Sequence, residues 1–217
     1  MVAVVTCDII KSRQYSNNDR GTVNDLIKSA FEETIELLPN TNVDKLSFNI
    51  VQGDEFQFIV NTPALAYRFI VFYRLRLALK NLKSSFRAGI GFGEVAVDND
   101  NSYKMDGPAF HRSRDAFQKF GKPKFRNRIT HVISGNQELD DQIEIIAMYN
   151  DFIEQRWSIK QRNSIYLYEK YGSLKEAAKH DSVSLQALQQ RIKVSGYSQM
   201  DFGFFKHTIL VNSILQP

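Results

Sequence analysis

Two periods of apolar and polar residues organise the chain. Residues 2–7, Val2-Ala3-Val4-Val5-Thr6-Cys7, form an apolar, β-branched run ending at Asp8, which predicts a buried strand. Over residues 21–38 the apolar positions Val23, Leu26, Ile27, Ala30, Phe31, Ile35 and Leu38 recur at three and four. That spacing predicts an amphipathic helix stopped by Pro39. Residues 46–51 and 58–60 read as two strands, with Gly53 permitting a tight turn that presents Asp54 and Glu55 at a hairpin tip. A second helix is expected over 63–83, with Pro63 at its start and Ala66, Phe69, Ile70, Tyr73, Leu77 and Leu82 on its apolar side. Residues 86–97 read as a strand pair or as one strand with an internal glycine bend. Residues 105–120 read as a turn and third helix, and 129–133 as a closing strand. The order β-α-β-β-α-β, followed by a further helix and strand, predicts an α+β, ferredoxin-like antiparallel sheet with helices on one face.

From residue 137 the pattern is helical throughout. Leu139, Ile143, Ile146, Tyr149, Phe152, Ile153 and Trp157, at helical spacing, predict a long linking helix over 137–160. Three short pieces follow: 161–171 closed by Gly172, 173–180, and 184–194 closed near Gly196. Ser173 with Glu176 reads as a capping box and Ser184 as an N-cap. Small Ala177 and Ala178 against Leu185, Leu188 and Ile192 make a helix-turn-helix, with Asp181 where many such turns carry a left-handed glycine. The expected division is 1–136 for the ferredoxin-like domain, 137–160 for the linker helix and 161–217 for the helix-turn-helix with a C-terminal helix. The last segment, with Phe202, Phe204, Phe205, Ile209, Leu210, Val211, Ile214 and Leu215, is apolar enough to return to the core or form a dimer contact.

Charge sharpens this division. The chain of 217 residues carries a net charge of +4, but residues 155–217 alone hold nine Lys or Arg against four acids. An excess of that kind on a helical module suits a polyanion. With Leu188 and Ile192 inside, Ser184, Gln186, Gln189, Gln190, Arg191 and Lys193 become the candidate contacts to double-stranded DNA, since Gln pairs with adenine and Lys or Arg with phosphate or guanine. No run reaches the roughly 18 apolar residues of a membrane span. The absence of a basic lead before residue 2 and the lone Cys7 place the protein in the cytoplasm by default. His111, His131, His180 and His207 lack metal-ligand spacing.

The candidate chemistry lies at the sheet. Either acid alone is ordinary turn chemistry, but Asp8 and Asp54, at the ends of neighbouring strands, together suit a hard cation, Mg²⁺ or Mn²⁺, that would serve phosphates. The segments Cys7-Asp8-Ile9-Ile10-Lys11-Ser12, Gly53-Asp54-Glu55-Phe56-Gln57, Arg87-Ala88-Gly89-Ile90-Gly91-Phe92-Gly93-Glu94-Val95 and Asp106-Gly107-Pro108-Ala109-Phe110 resemble the SatD family of bacterial proteins. More distantly, over about the first 135 residues, they resemble the palm-like catalytic domain of class III nucleotide cyclases and diguanylate cyclases. That resemblance implies two divalent metals held by Asp8 and by Asp54 or Glu55, with the Ile9 carbonyl as a further ligand. It also calls for an Asn and an Arg four residues apart on the third helix. Arg114 matches the Arg, with Phe110 four before it; shifted by one, the pair becomes His111 and Asp115. Neither register completes the pair, so the resemblance implies metal–nucleotide binding more than turnover.

Between residues 112 and 128 seven Lys or Arg are interleaved with Phe117, Phe120 and Phe125. Lys11, Arg87, Arg112, Arg114 and Lys122 are the candidate phosphate contacts. The leading expectation is a SatD-like DNA-binding regulator, a homodimer, whose front domain binds a nucleotide or phosphate through a divalent metal. An active nucleotidyltransferase or cyclase is the alternative, and a non-catalytic interaction module the second alternative.

Overall fold

In the computed structural model the apolar run at the start of the chain becomes β1, Val2–Ile9, the middle strand of a five-stranded sheet. The structure describes residues 1–12, 15, 19–52, 54–80, 82, 85–97, 105–122 and 127–215. The hairpin strands are β2 (Val43–Gln52) and β3 (Glu55–Val60), and β4 spans Phe86–Gly93. Both β3 and β4 pair antiparallel with β1, and β2 pairs outside β3. The short β5 (Ala96–Val97) and β6 (Met105–Asp106) form a ribbon of their own. The closing strand β7 (Thr130–Ile133) joins parallel to β4, giving the order β2-β3-β1-β4-β7. The first four strands have the expected split βαβ arrangement, and the fifth makes the sheet mixed.

Two helices, α1 (Asp19–Leu37) and α2 (Ala66–Leu79), cover one face as expected. Ile27, Ala30, Phe31, Phe69, Ile70 and Tyr73 pack there on Val5, Cys7, Phe56, Phe58 and Phe86. The third helix, α3 (Pro108–Gln118), lies on the opposite face, where Ala109 and Phe110 pack on Val4 and Ile59. The glycines of β4 make that contact possible without bending the strand. A Cβ at Gly91 would stand 2.2 Å from the Ser113 amide nitrogen and 2.3 Å from the Ala109 carbonyl oxygen. One at Gly89 would stand 2.5 Å from both the Phe117 nitrogen and the Ser113 oxygen. Helix backbone therefore rests directly on strand backbone.

The helix expected over 137–160 is α4, Gln137–Glu154, capped by Asn136. Of the seven apolar positions that set the spacing, Ile143 and Trp157 are buried and Leu139, Ile146 and Ile153 half-buried, so most of the stripe faces inward. Tyr149 and Phe152 face outward, whereas Asp140, Asn150, Asp151 and Glu154 are buried with Ile143 and Ala147. The acids meet the free edge of β7. Asp140 Oδ1 accepts the Ser134 amide at 2.6 Å, and Glu144 Oε1 accepts that of Val132 at 3.0 Å. Asp151 Oδ2 accepts the amides of Ile129 and Thr130 at 2.9 and 3.1 Å. Glu154 holds the fully buried Arg74 of α2 through two bonds of 2.9 Å, and Arg74 also donates to the Ile129 carbonyl and to Thr130 Oγ1.

Four further helices follow: α5 (Ile159–Tyr171), α6 (Leu174–His180), α7 (Leu185–Val194) and α8 (Tyr197–Leu215). The tail returns to the core: Tyr197, Met200, Phe204 and Val211 of α8 belong to the same buried cluster as the sheet and α2. The Trp157 indole nitrogen donates to the Ser195 carbonyl at 2.9 Å, and Arg68 of α2 pairs with Glu169 of α5 at 2.6 Å.

The glycine contact yields the first prediction. Gly91→Ala forces α3 off the sheet and should cost about 1–3 kcal/mol or more, as overpacking does. Gly21→Ala, in an open position on α1, should instead gain about 0.5–1 kcal/mol. Urea unfolding of both variants checks this, and equal midpoints would refute the close packing of α3.

Candidate functional site

Strand register assembles the front site. Asp8 stands directly opposite Glu55 on β3 and opposite Arg87 on β4, so the three side chains share one sheet face. It is the α3 face, one residue out of phase with the core positions Cys7 and Ile9. The helix ends before reaching them. Phe117 and Phe120 instead flank Arg87, whose guanidinium carbon lies 6.0 and 5.4 Å from the two ring centroids. Arg87 Nη2 donates to Asp8 Oδ2 at 2.7 Å, and the Ile9 amide donates to the Asp54 carbonyl oxygen at 3.3 Å.

Asp8 is under opposing influences. Burial raises its proton affinity, the Arg87 hydrogen bond lowers it, and the nearby Asp54 carboxyl raises it again. The net effect moves the pKa from 3.8 to about 6. Beneath the acids runs a directed chain: Gln57 Nε2 donates to Thr6 Oγ1 at 2.7 Å, and Thr6 faces Ser113 Oγ at 3.0 Å. Ser113 spends its own hydrogen on the Phe110 carbonyl, so Thr6 is the donor to Ser113. Thr6, Gln57 and Ser113 carried no signal as single residues. The places of Thr6 and Gln57, two residues from Asp8 and Glu55 in strands of period two, could have shown those two on the acid face.

The remaining candidates separate. Ile9 turns its side chain into the core. Lys11 lies exposed just beyond β1 with a left-handed backbone, φ 60°. Arg112 is at the other end of the sheet, donating to the Phe92 carbonyl at 2.6 Å and lying against Gly135, because the strand end there exposes an acceptor. Arg114 is exposed on the side of α3 away from the sheet, while Phe110 packs inward and His111 pairs with Asp106 at 3.2 Å. Lys122 is exposed after α3. Arg128 and Lys119 serve Glu144 at 3.0 and 3.5 Å. Among the described residues the basic stretch is thus divided among four places. Gly53, Lys124, Phe125 and Arg126 lie outside the described residues. Among the described residues no three His, Cys, Asp or Glu side chains converge as a metal cluster. The facing carboxylates of Asp8 and Glu55 nonetheless suit a hard cation completed by ligand phosphate or water.

At the C-terminal helices the turn before α7 is organised differently from expectation. Asp181 is right-handed, φ −82°, and the left-handed residue is Ser182, φ 53°. Freed from the turn role, the Asp181 carboxylate accepts from Asn163 at 2.7 Å, Ser164 at 2.9 Å and Arg191 at 2.8 Å, tying α5 to α7. Arg191 is therefore a structural partner as well as a surface residue. Ser173 and Ser184 cap α6 and α7 through the amides of Glu176 and Ala187, and the Glu176 carboxylate pairs with Lys179. Leu188 and Ile192 are buried, while Ser184, Gln186, Gln189, Gln190 and Lys193 are exposed on the outer side of α7.

The raised pKa fixes the sign of a pH effect. Between 3.8 and about 6 the folded chain keeps a proton on Asp8 that the unfolded chain releases, so native stability falls as pH rises through that window. Asn cannot ionise. The melting temperature of Asp8→Asn relative to the native protein should therefore climb between about pH 4 and about pH 6 and level off above that. A difference that is flat or declines would mean that Arg87 outweighs burial and Asp54.

Among the described residues no helix is long and apolar enough to cross a membrane. No curated protein matches the chain. A family model described as the SatD family matches residues 1–200. That match takes in the sheet with its Asp8 and Arg87 end, and all of α5, α6 and α7, so the chain belongs to the SatD family.

Proposed function

We propose that this SatD-family protein is a DNA-binding regulator that reads the major groove with α7. The observation that carries the reading is the outer side of that helix, where Gln186, Gln189, Gln190 and Lys193 stand exposed over the buried Leu188 and Ile192. Gln offers the paired donor and acceptor that match an adenine edge, and Lys supplies a phosphate contact. Asp181 and the serine caps hold the helix rigidly, which lets side chains rather than backbone adjust to bases. Arg156, Lys160 and Lys175 add exposed positive charge, whereas Arg162 and Arg191 are taken up within the fold.

A second role belongs to the sheet end, favoured by the nearness of Asp54 to Asp8, whose proton affinity it raises. There a divalent cation, Mg²⁺ or Mn²⁺, would be held by Asp8 and Asp54 with Glu55 alongside, and Arg87 would orient a nucleotide or other phosphate. Such a cation would supply charge neutralisation for the phosphate oxygens. The role is one of binding. Arg87 stands at the acids and His111 pairs with Asp106, so among the described residues no pair matches the one that would stabilise a transition state. The front domain is then a sensor and α5–α7 the output.

Two measurements test the parts separately. Fluorescence anisotropy with mixed duplex DNA should show binding at about 50 mM salt that weakens by orders of magnitude at about 200 mM. Selection from a random duplex pool should return a preferred sequence, which Gln189→Ala with Gln190→Ala relaxes at one or two positions by about 1–3 kcal/mol each. No binding at low salt would remove the DNA reading. For the sheet end, thermal melting with Mn²⁺ or Mg²⁺ and each nucleoside triphosphate should show a stabilisation of about 2.7 kcal/mol at a hundred times the dissociation constant. Asp8→Asn with Asp54→Asn should abolish it, and a flat panel with the native protein would leave the acids as turn formers.

A further inference from the structure

The burial of Asp140, Asn150, Asp151 and Glu154 on one side of α4 goes with an unusual surface on the other. Ile145, Tyr149 and Phe152, at spacings of four and three, occupy the middle of its outward side and are 56%, 63% and 56% exposed. Alongside runs α8, fitted to α4 where Gly203 meets Asn150; a Cβ on Gly203 would stand 2.9 Å from both polar atoms of that amide. Its own outward side carries Phe202, Phe205 and Ile209, 60%, 58% and 47% exposed. Two neighbouring helices thus turn their buried sides to the core and equally apolar sides outward. A groove of about 210 Å³ lined by Phe152, Ile153, Arg156, Trp157 and Val194 continues the face at the end of α4.

We propose that a second copy of the chain covers this face, with the two α4 helices packed antiparallel across a two-fold axis between Met148 and Tyr149. Two observations select this occupant. The first is size. Aromatic side chains carry on the order of 200 Å² each, so six residues exposed by about half present several hundred Å². That reaches the upper end of what a lone monomer ordinarily shows and approaches the roughly 800 Å² per partner of a stable interface. The second is charge complementarity between α4 and the turn after it, where Arg156 lies over the Phe152 ring. An antiparallel pairing that sets Ile145 of one copy opposite Phe152 of the other also sets Asp141 opposite Arg156, at both ends of the seam. Asp141 and Arg156 are exposed and lie too far apart along α4 and its following turn to meet within a copy. The face is therefore self-complementary under two-fold rotation, in shape class and in sign. Phe202, Phe205 and Ile209 flank the seam, giving a four-helix contact of α4 and α8 from each copy. This assembly does not rest on the DNA reading, although a two-fold pair of α7 helices is what a palindromic duplex would require.

Analytical ultracentrifugation across a range of concentrations tests it on the full chain. The native protein should sediment at twice the chain mass. Tyr149→Glu with Phe152→Glu, both at exposed positions, should weaken dimerisation at least a hundredfold with an unchanged circular dichroism spectrum. Asp141→Arg alone and Arg156→Asp alone should each weaken it about tenfold, and the double exchange should restore it, because the opposed pair is rebuilt across the axis. A native protein that stays monomeric at all concentrations would overturn the proposal, including one that instead floats with anionic lipid vesicles. A dimer indifferent to all these substitutions would overturn it equally.

Discussion

The structure depends on how the outer edge of β7 is satisfied. A sheet edge presents alternate amides that need acceptors, and this one is buried under a helix where water cannot supply them. The acids of α4 do so, with Asp140, Glu144 and Asp151 stepping along the helix as Ser134, Val132 and Thr130 step back along the strand. Each is a charge-assisted bond, roughly twice as strong as a neutral one. The cost of burying those charges is offset by cations: Arg128 serves Glu144 and Asp151, and Arg74 closes on Glu154 with no solvent exposure to speak of. Burial pushes the Glu154 proton affinity up against the pull of Arg74. Because Arg74 belongs to α2, the same cluster fixes α4 to the helix beneath the sheet.

The candidate site inherits its geometry from this anchoring. β7 held in place fixes β4 beside it, and the glycines of β4 bring α3 into backbone contact with the sheet. The length of α3 then decides where the acid face becomes open. The helix and its final turn end with Phe117 and Phe120 beside Arg87, leaving Asp8, Glu55 and Gln57 uncovered at the strand ends. The rings shield one side of the guanidinium, and Asp8 takes the other. At the opposite end Arg112 is occupied with the Phe92 carbonyl, which explains why nearness in sequence to Phe117 did not bring it to the acids.

Periodicity made most of the element order legible, including the split βαβ core and all three short helices that precede the last one. It located Asp8, Asp54 and Glu55 because strand ends and turns are visible in a single sequence. It failed where a polar residue is inside. Arg74 sits in a helix apolar on every side, and that alone should have marked it as buried and therefore paired. Asp181 was read for its backbone, while its carboxylate turned out to join three partners. The β4 glycines read as a bend because the helix that needs their missing side chains lies more than fifteen residues further on. In each case the deciding contact is long-range, and a local pattern cannot contain it.

The orientation of α4 shows how such a contact overrides the pattern. One rotation of the helix would bury Ile145, Tyr149 and Phe152; the other buries Asp140, Asp151 and Glu154. Burying three large apolar side chains gains about 1.5–3 kcal/mol each. Turning the acids away would leave four amides at the β7 edge without acceptors, at about 1–3 kcal/mol each. It would also strip Arg74 of its counter-ion deep in the core, at about 3–5 kcal/mol. The second sum is the larger, and the two outcomes differ in another respect. Apolar side chains left outside can still be covered by a second molecule, whereas an edge amide or a guanidinium sealed inside has nowhere else to turn. The polar demand of the strand edge therefore sets the helix, and the apolar surface it displaces becomes available for assembly.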